Sequence, residues 1–203
     1  MRWQSVEALR GRGYQVVERN RIATPDEHLD RLCNVWIKQG ASYGATWCRW
    51  GWMGYRDIVQ HGYGISPLNP ARTREILLEA LRHQYASGLA LRGWNPVDEK
   101  PYSDSALWVA FTLTAYLRET GDVSLLQEVV PFFDGGRDTV AGHVERTLEF
   151  LESNKGAHEL CLIKFGDWND SLTAVGKEGR GESVMLSQMY AEALREMAEL
   201  AGA

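Results

Sequence analysis

The 203-residue sequence lacks the features that define several large protein classes. It contains no run of about 18 apolar residues, so no membrane-spanning helix and no membrane partner are predicted. The opening stretch MRWQSVEALRGRGYQ has no apolar signal-peptide segment, which predicts a cytoplasmic location. The net charge of −5 argues against a nucleic-acid partner, because surfaces that bind phosphate backbones are normally basic.

Metal and cofactor signatures are also missing. The three cysteines, Cys33, Cys48 and Cys161, are odd in number and form no CxxC pair, so neither a disulfide framework nor a zinc site is predicted. No phosphate-binding GxxxxGK[ST] loop, GxGxxG unit, HExxH helix or GxSxG elbow occurs. The segment 167–178 imitates a calcium loop, but Leu172 stands where the turn requires glycine. We therefore predict no metal and no cofactor.

Tryptophan, by contrast, is abundant. Four of the eight tryptophans, Trp36, Trp47, Trp50 and Trp52, fall within one stretch of 17 residues. Core packing is the ordinary explanation for any single tryptophan, because each buries a large apolar area. A cluster beside arginine, aspartate and glycine instead favours a ligand-binding surface.

Helical periodicity runs through most of the chain and predicts an all-α fold. Thr24, Pro25 and Glu27 read as a capping box for a helix over 25–39, with an apolar stripe at Leu29, Leu32, Cys33 and Trp36. Before it, residues 14–23 read as a short strand or extended segment, and after it residues 40–53 read as a loop.

Further helices follow from apolar periodicity and end signals. They are predicted from about Tyr55, after the Asn69–Pro70 cap, in SDSALWVAFTLTAYLRETGD with Gly121 as its stop, in SLLQEVVPF up to Pro131, in GHVERTLEFLESN, and from Ser183 onward. Paired helices without a 30–45-residue repeat signature fit this pattern best.

Three loops carry polar groups beside aromatic residues: RWGWMGYRDIVQ (49–60), GWNPVDEKPYSDSALW (93–108) and FGDWND (165–170). In a toroid of helix pairs, loops at the same end converge on one cavity. Carboxylates and guanidinium groups suit paired hydroxyls, and an indole suits the apolar face of a pyranose. The alternative for each acid is a structural role, as a turn cap, a helix cap or a helix-start ion pair.

The motifs YRD (55–57), DSALW (104–108), ETGD (119–122) and GDWND (166–170) occur here together and in this order. Jointly they resemble glycoside hydrolase family 94, which comprises the inverting phosphorylases of cellobiose, chitobiose and related β-glucosides. The family also includes the phosphorylase-like part of cyclic β-1,2-glucan synthases. The resemblance extends from about residue 27 to residue 200. The combination is far more specific than any one motif.

The resemblance implies a fold and a domain organisation. Family members have an N-terminal β-sandwich, a helical linker and an (α/α)6 barrel. Residues 1–23 would then be an entry segment or linker, and residues 24–203 the N-terminal part of the barrel, an incomplete (α/α)6 barrel. The later half, which in the family holds phosphate, would lie outside this sequence. A homodimer is expected for the full-length parent.

The resemblance also assigns roles to residues. Asp170, the second acid of GDWND, would be the general acid, and Trp168 would line the site. Arg56 and Asp57 would bind sugar hydroxyls on the non-reducing side of the scissile bond. Arg49 is the nearest candidate for a further family arginine, and Asp104 for another sugar contact. We expect burial against Trp168 and repulsion from Asp167 to keep the Asp170 carboxyl protonated.

Three positions depart from the family pattern. His61 and Ser105 each stand where the family has an acid, and Ser171 stands where it has glycine. They leave open an acceptor sugar other than glucose or a divergent subfamily. The implied reaction is cleavage of a β-linked disaccharide or oligosaccharide by inorganic phosphate, giving an α-sugar 1-phosphate. The alternatives are an inverting hydrolase that uses water, which needs a second carboxylate as base, and an inactive fragment that only binds sugar and tends to associate.

Overall fold

A computed structural model describes residues 16–49 and 51–202, and most of these residues are helical. The helices are α1 (Glu27–Arg31), a π-helical turn (Leu32–Trp36), α2 (Ile37–Trp47), α3 (Tyr55–Ile65), α4 (Pro70–Leu81), α5 (Trp108–Thr120), a 3₁₀ helix (Val123–Gln127), α6 (Val140–Ser153) and α7 (Val184–Gly202). Two antiparallel hairpins pair β1 (Gly93–Trp94) with β2 (Val97–Asp98), and β3 (Val129–Pro131) with β4 (Arg137–Thr139).

The helix predicted over 25–39 is longer than the sequence indicates. It begins at Glu27 and continues through the π-helical turn to Trp47, so the prediction of a loop is wrong for residues 40–47. Asp26, not Thr24, is the N-cap, and its carboxylate accepts from the backbone N–H groups of His28 and Leu29. Thr24 instead hydrogen-bonds Asp30.

The apolar stripe that predicts this helix lies largely on the surface, where Trp36 is 70% exposed. The strand or extended segment expected over 14–23 is also partly wrong, because residues 16–18 are helical. Residues 14 and 15 lie outside the described residues.

Local end signals place the next helices correctly. Asn69 caps α4 by accepting from the Arg72 N–H, and Pro70 occupies the first turn, where its missing N–H costs nothing. Gly121 ends α5 in a left-handed conformation with φ of 67°. The segment SLLQEVVPF is only partly helical, because its second half forms strand β3.

The helices pack as two rows. Helix α3 packs against α5, and α5 packs against α7, while α4 contacts both α2 and α6. Neighbours in sequence, such as α3 with α4 and α4 with α5, link the rows. The core between them contains fully buried side chains such as Ile58, Leu77, Leu107 and Leu113. This arrangement brings the segments before α3, α5 and α7 to one end of the same row.

Among the residues that the structure describes, no helix is long and apolar enough to cross a membrane.

A buried polar cluster fastens α4 to α6. The Gln84 amide donates to the carbonyl oxygens of Gly88 and His143 and to Thr147 Oγ1, at 3.3, 3.0 and 2.7 Å. Gly88 has a φ of +92°, and a Cβ atom there would stand 2.0 Å from the Arg146 carbonyl oxygen. Both the left-handed backbone and the close approach therefore require glycine.

We predict that Gly88→Ala destabilises the chain by at least about 2 kcal/mol more than Gly179→Ala, in urea unfolding with an unchanged m-value. Gly179 is the matched control, because its φ of +70° is also left-handed but no heavy atom lies within 4 Å of an added Cβ. Gly179→Ala should lower the free energy of unfolding only by the energy needed to place alanine in a left-handed conformation, roughly 1–2 kcal/mol. Equal losses at the two positions would contradict the role given to the Arg146 contact.

Candidate functional site

Arg56, in the first turn of α3, joins the segments that precede α5 and α7. Its Nη1 donates to Asp104 Oδ2 at 3.2 Å and to the Asp167 carbonyl oxygen at 2.8 Å. Its Nη2 donates to Asp170 Oδ1 at 2.9 Å. The three loops that the sequence singles out therefore meet at one guanidinium group, which is itself only 8% exposed.

The start of α3 is held in place by backbone contacts. The Tyr55 N–H donates to the Arg92 carbonyl oxygen at 2.8 Å, and the Trp94 N–H donates to the Met53 carbonyl oxygen at 3.0 Å. Gly54 leaves room for the Asp57 carboxylate, because a Cβ there would meet Asp57 Oδ2 at 2.1 Å. Arg56 and Asp57 thus begin their helix against the β1–β2 hairpin.

Asp104 is completely buried behind Arg56. Its carboxylate accepts from Arg56 and also from the Trp108 indole Nε1 at 3.2 Å. The prediction that Asp104 contacts sugar is therefore not supported by its position, and Leu107 rather than Asp104 precedes α5 as its N-cap. Burial by itself lowers the pKa of Arg56, but the charges and hydrogen bonds of Asp104 and Asp170 outweigh it and the net direction is upward.

Asp167 organises the loop that carries Asp170. The Ser103 N–H donates to the Gly166 carbonyl oxygen at 3.0 Å, which fixes the loop beside the segment before α5. The buried Asp167 carboxylate accepts from the Asn169 N–H at 2.9 Å and from Ser183 Oγ at 2.6 Å. Ser183 also accepts from the Leu186 N–H at the start of α7. One hydroxyl therefore ties this loop to a helix N-terminus.

These segments line a small cleft that opens to the surface and whose interior volume is about 10 Å³, roughly room for one water molecule. The residues that line it are Arg49, Trp52, Arg56, Asp57, Arg92, Tyr102, Ser105 and Asp170. Cations, carboxylates, a hydroxyl and two aromatic rings thus face one concave surface. Such a mixture is suited to a polar ligand with several hydroxyl groups.

Asp170, Arg56 and Asp57 share the cleft, as the sequence predicts. Asp170 stands at the mouth with its side chain 42% exposed, and Trp168 is 54% exposed. The expectation that Trp168 buries Asp170 is therefore wrong. The Asp167 carboxylate oxygens accept from the Asn169 N–H and the Ser183 hydroxyl.

Arg49 also reaches the cleft. Its Nη1 lies 3.3 Å from Asp57 Oδ1, in a pair that is exposed on the arginine side. Surface ion pairs of this kind contribute little stability. The pair instead orients the Asp57 carboxylate at the rim of the cleft.

Sequence reasoning missed four residues of the lining: Trp52, Arg92, Tyr102 and Ser105. Trp52 and Tyr102 lie inside loops already marked as candidates, and Ser105 appears only as a departure from the family pattern. Arg92 precedes its candidate loop by one residue. The tryptophan cluster is the available signal, because the indole at the cleft belongs to Trp52 and not to Trp168.

Within residues 16–49 and 51–202, no group of three or more His, Cys, Asp or Glu side chains is placed to hold a metal ion.

We predict that Ser183→Ala lowers the free energy of unfolding by about 2–3 kcal/mol, because it removes both a helix cap and a partner of a buried carboxylate. Ser183→Thr keeps the hydroxyl and should recover most of this loss. Chemical denaturation measures both, with the exposed Ser153→Ala as the control, expected within about 0.5 kcal/mol of the parent chain. A Ser183→Ala value as small as the control would remove the hydroxyl from this role.

Comparison with known proteins is consistent with this geometry. Solabiose phosphorylase of Paenibacillus borealis is 41% identical over 180 residues, covering 89% of this chain and 23% of the relative. N,N'-diacetylchitobiose phosphorylase of Vibrio furnissii is 31% identical, covering 89% and 27%. Cellobionic acid phosphorylase of Neurospora crassa is 33% identical, covering 88% and 23%. The chain thus spans about a quarter of the length of these curated relatives.

The model of the family described as Glycosyl hydrolase 94 superfamily, catalytic domain, matches residues 14–203. This match covers almost the whole sequence and includes every residue of the cleft. The chain therefore belongs to the glycosyl hydrolase 94 superfamily and matches its catalytic domain.

Proposed function

We propose that this chain supplies the sugar-binding and proton-donating part of an inverting glycoside phosphorylase. The enzyme cleaves a β-linked disaccharide or oligosaccharide with inorganic phosphate and releases an α-sugar 1-phosphate. The observation that carries the proposal is the position of Asp170, which faces the same cleft as Arg56 and Asp57 and is held there by Arg56. The family and its phosphorylase relatives support the reaction class.

The proposed architecture is an incomplete (α/α)6 barrel. Helices α3, α5 and α7 would belong to the inner ring, and α2, α4 and α6 to the outer ring. The contacts between alternate helices support this assignment, because each ring of such a barrel brings every second helix together. The cleft at the N-terminal end of the inner row would be part of the barrel's active-site mouth.

Asp170 serves as the general acid in this mechanism. In the structure its Oδ1 accepts from the Arg56 guanidinium, which fixes the position of the carboxyl group at the cleft. Its 42% exposed side chain can be reprotonated from the cleft. A phosphorylase needs no second carboxylate as base, because phosphate already carries the negative charge of a nucleophile.

An oxygen of hydrogen phosphate bonds to the anomeric carbon while the bond from that carbon to the glycosidic oxygen breaks. The proton of Asp170 passes to the departing oxygen and forms a hydroxyl. The phosphate proton returns through solvent to the Asp170 carboxylate, and attack from the opposite face inverts β to α.

The other residues have distinct proposed roles. Asp57 and Arg49 stand at the rim as a pair that can contact sugar hydroxyls. Arg56 contributes mainly by holding Asp170, because both of its terminal nitrogens donate to groups of the protein. Asp104 positions Arg56, and Trp168 is left as an exposed surface that a larger ligand can reach. A homodimer and a cytoplasmic location stay predictions.

Asp170→Asn is expected to reduce phosphorolysis by about 10²–10⁴-fold, because the amide cannot donate a proton to the leaving oxygen. The assay uses a chimera in which residues 14–203 replace the matching segment of the Paenibacillus borealis solabiose phosphorylase, which supplies the length that this chain does not span. Release of α-sugar 1-phosphate from β-linked disaccharides is the measurement.

Glu178→Gln provides the matched control, since it neutralises an exposed acid eight residues along the chain. It should retain full activity. If the Asp170→Asn chimera is as active as this control, Asp170 is not the general acid.

Omitting phosphate should stop cleavage by the active chimera, since no protein carboxylate is proposed to activate water. Sugar release measured with and without phosphate separates the two reaction classes. Cleavage that continues without phosphate at an undiminished rate would identify a hydrolase.

A further inference from the structure

Arg92 differs from Arg56, the buried arginine of the cleft, in the number of acceptors around its guanidinium group. Within the described residues, its guanidinium has one hydrogen-bonded acceptor, Asp98 Oδ2, at 3.0 Å from Nη1. Arg56, by contrast, directs both terminal nitrogens to acceptors of the protein, on Asp104, Asp167 and Asp170. Arg92 therefore has guanidinium N–H groups that are available to hydrogen-bond a ligand at the cleft.

Two aromatic rings hold the Arg92 guanidinium in position. Its central carbon lies 5.5 Å from the ring centroid of Trp52 and 4.8 Å from that of Tyr102. Guanidinium groups stack favourably on aromatic faces, and such contacts restrict the plane of the group. All three side chains line the cleft. The donors of Arg92 are thus presented in a restricted orientation.

Backbone hydrogen bonds fix Arg92 against the segment that begins α3 and carries Arg56 and Asp57. Its N–H donates to the Asp98 carbonyl oxygen, and its carbonyl oxygen accepts from the Tyr55 N–H, both at 2.8 Å. Tyr55 is the residue directly before Arg56. Movement of Arg92 relative to Arg56 and Asp57 would break these bonds.

We infer that Arg92 is a sugar-binding residue that donates its free N–H groups to hydroxyls of a pyranose that lies over the cleft. This inference rests on the proposed function and extends it, because it transfers to Arg92 the hydroxyl recognition that the sequence predicts for Arg56. A hydroxyl ligand is favoured over an anion because Asp57, Asp98 and Asp170 each lie within ion-pairing distance of one of the arginines around the cleft.

The test is sugar binding by the 203-residue chain itself. Methyl β-D-glucopyranoside is titrated against the chain, and the dissociation constant is measured by calorimetry. The Arg92 Nε–H resonance is followed in parallel by NMR and should shift with saturation in the parent chain. Arg92→Lys should weaken binding by about 10–100-fold, since hydrogen bonds to charged groups contribute strongly and lysine lacks the planar fork.

Two controls separate recognition from folding. Arg82→Lys is the same substitution at an exposed arginine outside the cleft and should leave the affinity unchanged. Asp98→Asn removes the partner of Arg92 and should shift the thermal midpoint at least as much as Arg92→Lys does. It should cost less sugar affinity, because the donors remain. If Arg92→Lys does not fold, the resonance shift of the parent chain decides alone.

Three outcomes overturn the inference. Equal affinity of Arg92→Lys and the parent chain removes Arg92 from recognition while leaving the proposed function standing. Binding of methyl β-D-glucuronide through Arg92, without binding of the neutral pyranoside, makes the site an anion site. Absence of any sugar binding by the parent chain also overturns it, whereas the proposed function is decided separately by phosphorolysis in the chimera.

Discussion

The cleft depends on one buried guanidinium group. Arg56 joins residues that lie 48, 111 and 114 positions away in sequence, and it does so from a site that is 8% exposed. A cation in such surroundings is stable only when its donors are matched by acceptors, because desolvation of an unpaired charge costs several kcal/mol. The packing of α3 against α5, and of α5 against α7, therefore has to place the acceptors Asp104, Asp167 and Asp170 around it.

Because Arg56 needs buried acceptors, the acids around the cleft fall into two groups: buried ones that hold Arg56 or its loop, and one that stays exposed to the cleft. Asp104 and Asp167 are buried, and their oxygens accept hydrogen bonds inside the protein. The Asp104 carboxylate accepts from Arg56 and Trp108. Asp167 accepts from Arg56 through its carbonyl oxygen and from Asn169 and Ser183 through its carboxylate. Asp170 contacts the same guanidinium but remains open to the cleft. Of the two acids in GDWND, the first thus organises the loop, and the second is available for chemistry. The crowding of acids around Trp168 reflects this division of roles.

Local signals in the sequence predict the helices that have their own caps. Asn69–Pro70, Gly121 and Ser183 each act within one turn, so their effect is visible without the rest of the fold. The helix over 40–47 escapes prediction because its sequence, GASYGATW, contains two glycines and has no apolar period. The two short hairpins escape because their pairing is set by surrounding contacts. The lining residue Arg92 escapes because its role follows from contacts with Trp52, Tyr102 and Asp98.

The most direct measurement of the central claim is a double-mutant cycle on Arg56→Gln and Asp104→Asn, followed by urea unfolding. Each single change leaves a buried group without its partner and should cost about 3–5 kcal/mol. The double variant should lose about 2 kcal/mol less than the sum, because it removes both charges together. Additive losses, within about 0.5 kcal/mol, would show that the two side chains act independently and would contradict the role of Arg56 as the junction of the cleft.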